Sequence, residues 1–184
     1  AIVPTQALWK ILYRQFDRES IENYQELIYM PNDITQRWFE RLQRTGNSVI
    51  RQQGDGAIRV ANRDKLLKAF SDAGIPIMFG TDAPQIFSVP GFSIHHEIDA
   101  MKNAGLSDYV ILRSATAAVG KYYADYDSFG TVEVNKRADL ILLNSNPLED
   151  ARRIKDLAGV MVRGHWLAIE TIDKQLQAIA ASYR

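Results

Sequence analysis

The sequence predicts an α/β protein: a helical region around a short buried parallel strand, then a small antiparallel β unit and a closing helix. Three observations carry this. Ile75-Pro-Ile-Met-Phe79 is apolar without interruption rather than alternating, which is the pattern of a strand covered on both faces. Apolar residues at helical spacing flank it, with Leu66, Leu67 and Phe70 before and Ile94, Ile98 and Met101 after. From Gly130 onward the apolar runs become short and are separated by turn-forming pairs, as antiparallel strands require.

Taken in order, Ala1-Ile-Val-Pro4 reads as a strand end, with Pro4 stopping any ladder and Thr5 opening a turn. Leu8, Trp9, Leu12, Tyr13 and Phe16 recur at helical spacing. A second helix starts near Asn32-Asp33, aligns Ile34, Trp38 and Leu42, and stops at Gly46. Residues Asn47–Val60, with Gly54-Asp-Gly56, are expected as a loop containing a short extended piece. Asn62 is expected to cap a helix over 63–73, and Gly74 supplies the left-handed residue that a helix C-terminus favours. After a loop over 80–93, a helix is expected from about His95 to Asn103, ended by Gly105. Ser107 and Thr116 are expected to cap two more short helices.

In the second part, Thr131–Val134, Ala138–Leu143, Val160–Arg163 and Trp166–Ile169 read as short strands. Asn135-Lys136, Asn146-Pro147 and Gly164-His165 are the turns between them. Thr171 opens a last helix with Ile172, Leu176 and Ile179 on one face. The division expected is 1–128, 129–170 and 171–184.

At 184 residues the chain is long enough for one domain or two small units, since domains commonly hold about 100–200 residues. An apolar fraction of 46% with 24% charged residues is that of a folded globular chain. Lys+Arg and Asp+Glu both number 22, so no net field attracts nucleic acid or an anionic membrane, and neither is expected as a partner. The absence of cysteine excludes disulfides, thiolate catalysis and cysteine-based metal sites. No apolar run approaches the ~20 residues of a membrane-spanning helix, and no signal peptide is visible. Cytoplasm and periplasm both stay open.

Among residues that could do chemistry, Asp82 comes first. It lies three residues beyond Phe79, after Gly80-Thr81, at the C-terminal rim where parallel α/β barrels keep their active sites. Taken alone it reads first as an Asx-turn or a cap of a short helix near Ala83-Pro84, a reading the surrounding sequence reverses. His95 and His96 are adjacent and so face different directions on a helix, a poor chelating pair. Glu97 and Asp99 stand near them, where acids also gather at a helix N-terminus for dipole reasons. His95 is the better of the two histidines for a loop position near substrate; the other reading is a helix-entry residue. His165 falls in an expected turn. Asn135-Lys136-Arg137 reads as a solvated turn, and Trp9, Tyr13 and Trp38 as core at helical spacing rather than a substrate platform.

Around Asp82 the sequence resembles the amidohydrolase superfamily, in particular its prolidase-like and imidazolonepropionase-like branches. Gly74-Ile-Pro-Ile-Met-Phe-Gly-Thr-Asp82-Ala resembles the eighth barrel strand with its ligand. Gly91-Phe-Ser-Ile-His-His-Glu97 resembles the loop into the eighth helix, and Ala104-Gly-Leu106 with Ala115-Thr116 the segment after it. Gly130-Thr-Val, Lys136-Arg-Ala-Asp-Leu, Asn146-Pro-Leu148 and Val160-Met-Val-Arg-Gly164 resemble strands of the family's small β-sandwich. The likeness covers roughly residues 74–167, and Val3-Pro4-Thr5 resembles the end of the seventh strand.

The resemblance implies the C-terminal portion of a (β/α)₈ TIM barrel, strands seven and eight with their helices, plus part of a small β-sandwich. It implies a hydrolase of C–N bonds in a small-molecule amide, peptide or cyclic amide. There a divalent metal, zinc above all, activates water, and Asp82 is both metal ligand and proton shuttle. The family's histidine ligands and bridging residue precede the seventh strand, and none of His95, His96 and His165 matches them. The expectation is therefore a segment missing upstream, with metal bound weakly or not at all by this chain alone. Two other readings stay open: a non-catalytic binding or scaffold module, and a half-enzyme completed by a second chain or by a homo-oligomeric copy.

Overall fold

The structure is a computed structural model and describes residues 1–13, 18–44 and 55–183. Phe16, Gly46 and residues 47–54 of the expected loop lie outside them. The opening segment and the apolar run 75–79 meet side by side. Ile2 and Ile77 form a parallel bridge, in which Ile2 N–H donates to Pro76 O at 2.9 Å and Met78 N–H donates to Ile2 O at 2.8 Å. Such neighbours need a long crossover, and helices supply it. Beyond the bridge, Phe79 N–H donates to Ser114 O at 3.0 Å. Burial on both faces holds at Ile77, 6% exposed, but not along the whole run: Ile75 remains 38% exposed.

The crossover begins with α1 (Gln6–Leu12) and α2 (Arg18–Glu22), passes a 3₁₀ turn at Gln25–Tyr29, and continues with α3 (Asn32–Arg44) and α4 (Gly56–Asp72). α3 starts where Asn32-Asp33 marks it. α4 corrects the sequence reading: residues 56–60, expected as loop, are helical, and Asn62 lies inside the helix rather than capping it. Arg59 N–H already bonds Asp55 O at 2.8 Å, and neither glycine nor proline interrupts 57–72, so nothing local stops the helix sooner. Gly74 is left-handed as expected, φ 70.

After the loop come α5 (Ser93–Asn103), α6 (Asp108–Ala115) and α7 (Ala117–Tyr122). The Ser107 hydroxyl caps α6 by accepting Val110 N–H at 3.3 Å. Thr116 does not cap α7, because its hydroxyl donates back to Leu112 O at 2.8 Å.

The β unit consists of β1 (Leu140–Leu143), β2 (Leu157–Val162) and β3 (His165–Ala168), antiparallel in the order β1-β2-β3 with an irregular step at Leu142/Leu143. A 3₁₀ turn at Ala151–Lys155 separates β1 from β2. Thr131–Val134 is not a strand: Val132 and Val134 are 85% and 90% exposed. The expected strand over 138–143 begins only at Leu140. The last helix, α8 (Ile169–Ser182), starts two residues before Thr171.

Two hydrophobic clusters form. One gathers Leu67, Ile77, Ile98, Met101, Leu106 and Ile111 between α4, α5, α6 and the 75–79 run, with Ala151 from the β unit. The other gathers Leu8, Ile11, Ile21, Ile86 and Phe87, with Trp38 and Phe39 packed against it. Lys102 on α5 bonds Asp150 at 2.9 Å and also Asp108, whose carboxylate takes Ala151 N–H at 2.7 Å. This tie fixes the β unit to the helices. Among the described residues no helix is long and apolar enough to cross a membrane.

Candidate active site

The 75–79 run ends in Gly80-Thr81-Asp82, where the chain leaves the parallel bridge. A Cβ at Gly80 would stand 2.6 Å from the Val3 side chain, so a larger residue there would have to displace Val3. Thr81 is fastened to α5: the buried Ser93 hydroxyl donates to Thr81 Oγ1 at 3.0 Å. Asp82 itself is exposed and left-handed, φ 58, a conformation aspartate tolerates better than most residues. Its Oδ2 accepts the Gln85 side-chain amide at 2.6 Å, and the Ala83–Pro84 bond between them is cis.

Beyond Gln85 the loop turns inward. Ile86, Phe87, Ser88 and Val89 are all buried. Ser88 N–H bonds Gln85 O at 2.6 Å. The Phe87 ring receives Trp38 and Phe39 edge-on at 5.6 and 4.8 Å. The sequence reading missed this burial. The apolar Ile86-Phe87 and Val89 were its available signal.

His95 and His96 lie on α5 rather than in the loop before it, and diverge as adjacent helical residues must. His95 is half-buried, and its Nδ1 has no hydrogen-bond partner among the described residues. Burial pushes its pKa below the ordinary histidine value, and Lys155 and His96 add to this. His96 Nε2 meets Glu26 Oε1 at 2.5 Å, while Tyr24 stacks on its ring at 4.3 Å. Burial pushes the Glu26 carboxyl up, yet the His96 contact holds it below its usual range. Glu97 joins neither histidine. It is fully buried and accepts Gln6 N–H at 2.9 Å and Ala7 N–H at 2.8 Å. His165 is exposed, at the start of β3. Trp38 packs as core, whereas Trp9 stacks on Tyr13 and carries the Arg63 guanidinium over its ring at 4.4 Å.

The amidohydrolase family model matches residues 22–167. The chain belongs to the amidohydrolase family. No curated protein matches it. Solved amidohydrolase-like structures do. Bottromycin amidohydrolase superposes with a TM-score of 0.75 at 22% identity, over 98% of this chain and 40% of that one. An Xaa-Pro dipeptidase with methionine in its active site gives 0.59 at 22% identity, over 90% and 34%. A proposed prolidase from Bifidobacterium longum gives 0.57 at 28% identity, over 74% and 35%. This amidohydrolase chain thus spans between 34% and 40% of the length of these structures.

Amidohydrolases generally use divalent metals. Among the described residues no three His, Cys, Asp or Glu side chains converge to hold one. Asp82 offers a single carboxylate, bonded to Gln85, whereas a catalytic zinc takes three protein ligands. The described residues do not by themselves fit the metal.

Proposed function

We propose that this chain is the C-terminal portion of an amidohydrolase (β/α)₈ barrel with part of its β-sandwich. In this reading it contributes Asp82 to the hydrolysis of a C–N bond in an amide, peptide or cyclic amide. The observation that carries the reading is the position of Asp82, three residues beyond Phe79 and five beyond Ile77, which pairs in parallel with Ile2. This supports reading Asp82 as lying at the C-terminal end of a barrel strand, where such enzymes keep their chemistry. The division that goes with it is barrel over 1–128, sandwich from 129, and a closing helix from 169, where α8 begins.

Asp82 takes a proton from the attacking water as oxygen bonds to the carbonyl carbon. It returns that proton to the nitrogen as the C–N bond breaks. A carboxylate suits both halves because it exchanges one proton without leaving the site. Zinc is the metal we propose for the complete site, held chiefly by groups beyond those described here. His95, half-buried on α5, is the side chain we assign to the substrate side.

A second reading, completion of the site by another polypeptide or a second copy, is favoured by exposed apolar side chains on the sheet, Ile141, Leu142 and Trp166. The test uses the protein encoded by the whole reading frame that contains these residues, purified and loaded with zinc. Amine release is measured from N-acyl amino acids, Xaa-Pro dipeptides and cyclic amides. Turnover of one class, abolished by chelation and lowered by about 10²–10⁴-fold in Asp82→Asn, is the expected result. Turnover unchanged in Asp82→Asn, or none with any class, overturns the proposal. Co-elution with a second chain selects the completed half-enzyme.

A further inference from the structure

We infer that Gln85 is a positioning residue for Asp82, fixing which carboxylate oxygen faces the reacting water; this rests on the reading of Asp82 proposed above. An exposed aspartate side chain rotates between staggered positions with little to hold it. Among the described residues, the group that hydrogen-bonds the Asp82 side chain is the Gln85 amide, whose Nε2 donates to Oδ2 at 2.6 Å. Oδ1 is left for a proton.

An exposed hydrogen bond of this kind orients its partner only if its own base is fixed, because a free glutamine side chain loses much rotamer entropy on being held. The base of Gln85 is fixed. Its carbonyl receives Ser88 N–H at 2.6 Å, and residues 85 and 88 form an antiparallel bridge. Within that turn Phe87 is 1% exposed and held edge-on by Trp38 and Phe39 of α3. A mechanical path therefore runs from α3 through Phe87 and the turn to Gln85, and from its amide to Asp82. A general base must stand at hydrogen-bond distance from its proton in the right direction, and misplacement by about 1 Å can cost about 100-fold in rate.

The experiment compares Gln85→Met in the wild-type and Asp82→Asn backgrounds of the zinc-loaded protein, using the substrate class found in the panel above. Methionine keeps the length and removes the donor. In the wild-type background kcat falls by about tenfold, the scale of one lost hydrogen bond to a charged group. KM stays within about twofold and the melting temperature is unchanged. In the Asp82→Asn background the same substitution has little further effect. An equal drop in both backgrounds makes Gln85 merely structural and overturns the inference. No drop from Gln85→Met, where Asp82→Asn does lower kcat, overturns it and leaves the proposed function standing. An Asp82→Asn enzyme with unchanged kcat removes both. Should Gln85→Met fail to fold, the side-chain amide resonances of Gln85 are followed by ¹⁵N NMR. They shift on Asp82→Asn more than those of other exposed glutamines, and unmoved resonances overturn the inference.

Discussion

Glu97 caps the helix that begins at Gln6, 91 residues away in sequence. Thr5, which precedes α1, is left-handed and makes no side-chain cap. The first N–H groups of α1 therefore need another acceptor, and the two oxygens of Glu97 take Gln6 N–H and Ala7 N–H. A carboxylate gains there from the helix dipole as well as from the hydrogen bonds. Burial raises the Glu97 pKa, against those two N–H groups and the charges of Lys10 and Arg63.

Glu97→Ala leaves both N–H groups without their acceptor inside the protein. Each buried unsatisfied group costs about 1–3 kcal/mol, so a loss of about 2–4 kcal/mol is expected. Urea denaturation measures it. A change under ~0.5 kcal/mol, the range of ordinary surface substitutions, would show that water or a neighbour replaces the carboxylate.

His95 sets a pH dependence of stability. Its folded pKa lies below that of the unfolded chain, burial being the main cause. Lys155 and His96 facing it also disfavour its proton, while Glu26 and Asp99 favour it. The unfolded chain therefore binds more protons once the pH drops below the ordinary histidine value of ~6.5. The contribution is present in full above ~6.5 and is lost as pH falls through the folded value. Urea midpoints at stepped pH should decline more steeply for the wild type than for His95→Gln; parallel curves would remove the assignment.

Phe87→Ala empties the centre of the cluster formed with Trp38 and Phe39. Truncations of this kind cost about 3–5 kcal/mol. Because Phe87 is left-handed, φ 58, Phe87→Gly should be less destabilised than cavity formation alone dictates, glycine being free to adopt that conformation. Near-UV circular dichroism, which reads the Trp38 environment, should weaken in both. An intact spectrum with normal stability would contradict the packing role.

Asp82→Asn keeps the size of the side chain but cannot take a proton. In the zinc-loaded whole protein kcat should fall by about 10²–10⁴-fold, the range for general acid–base catalysis, with KM changed far less. Steady-state kinetics on the turned-over substrate decides it; near-normal kcat would leave Asp82 a turn former.

Metal retention by the 184-residue chain is the last expected outcome. With one carboxylate at the site and no converging triad among the described residues, zinc should wash out on gel filtration. Close to one retained ion per molecule would reveal a site that these residues do not show.

Much of this was legible in the residues. The left-handed Gly74 and the Ser107 cap act within a few positions, so local sequence is enough to place them. The order of motifs around Asp82 likewise pointed to the amidohydrolases. Tertiary structure decided the rest. The strand expected over 75–79 is reduced, among the described residues, to a single bridge at Ile77, with Ile75 left exposed. The strand expected at 131–134 did not form, because a strand needs a partner's backbone and its own sequence cannot provide one. α4 began at Gly56 rather than after Asn62 because a cap-forming side chain is only a local preference, which a continuing helix overrides. Glu97 read as a possible companion of the histidines. Only the crossing of α5 over the start of α1 turned it into a cap, since a buried carboxylate must bond to whatever donors the fold brings to it.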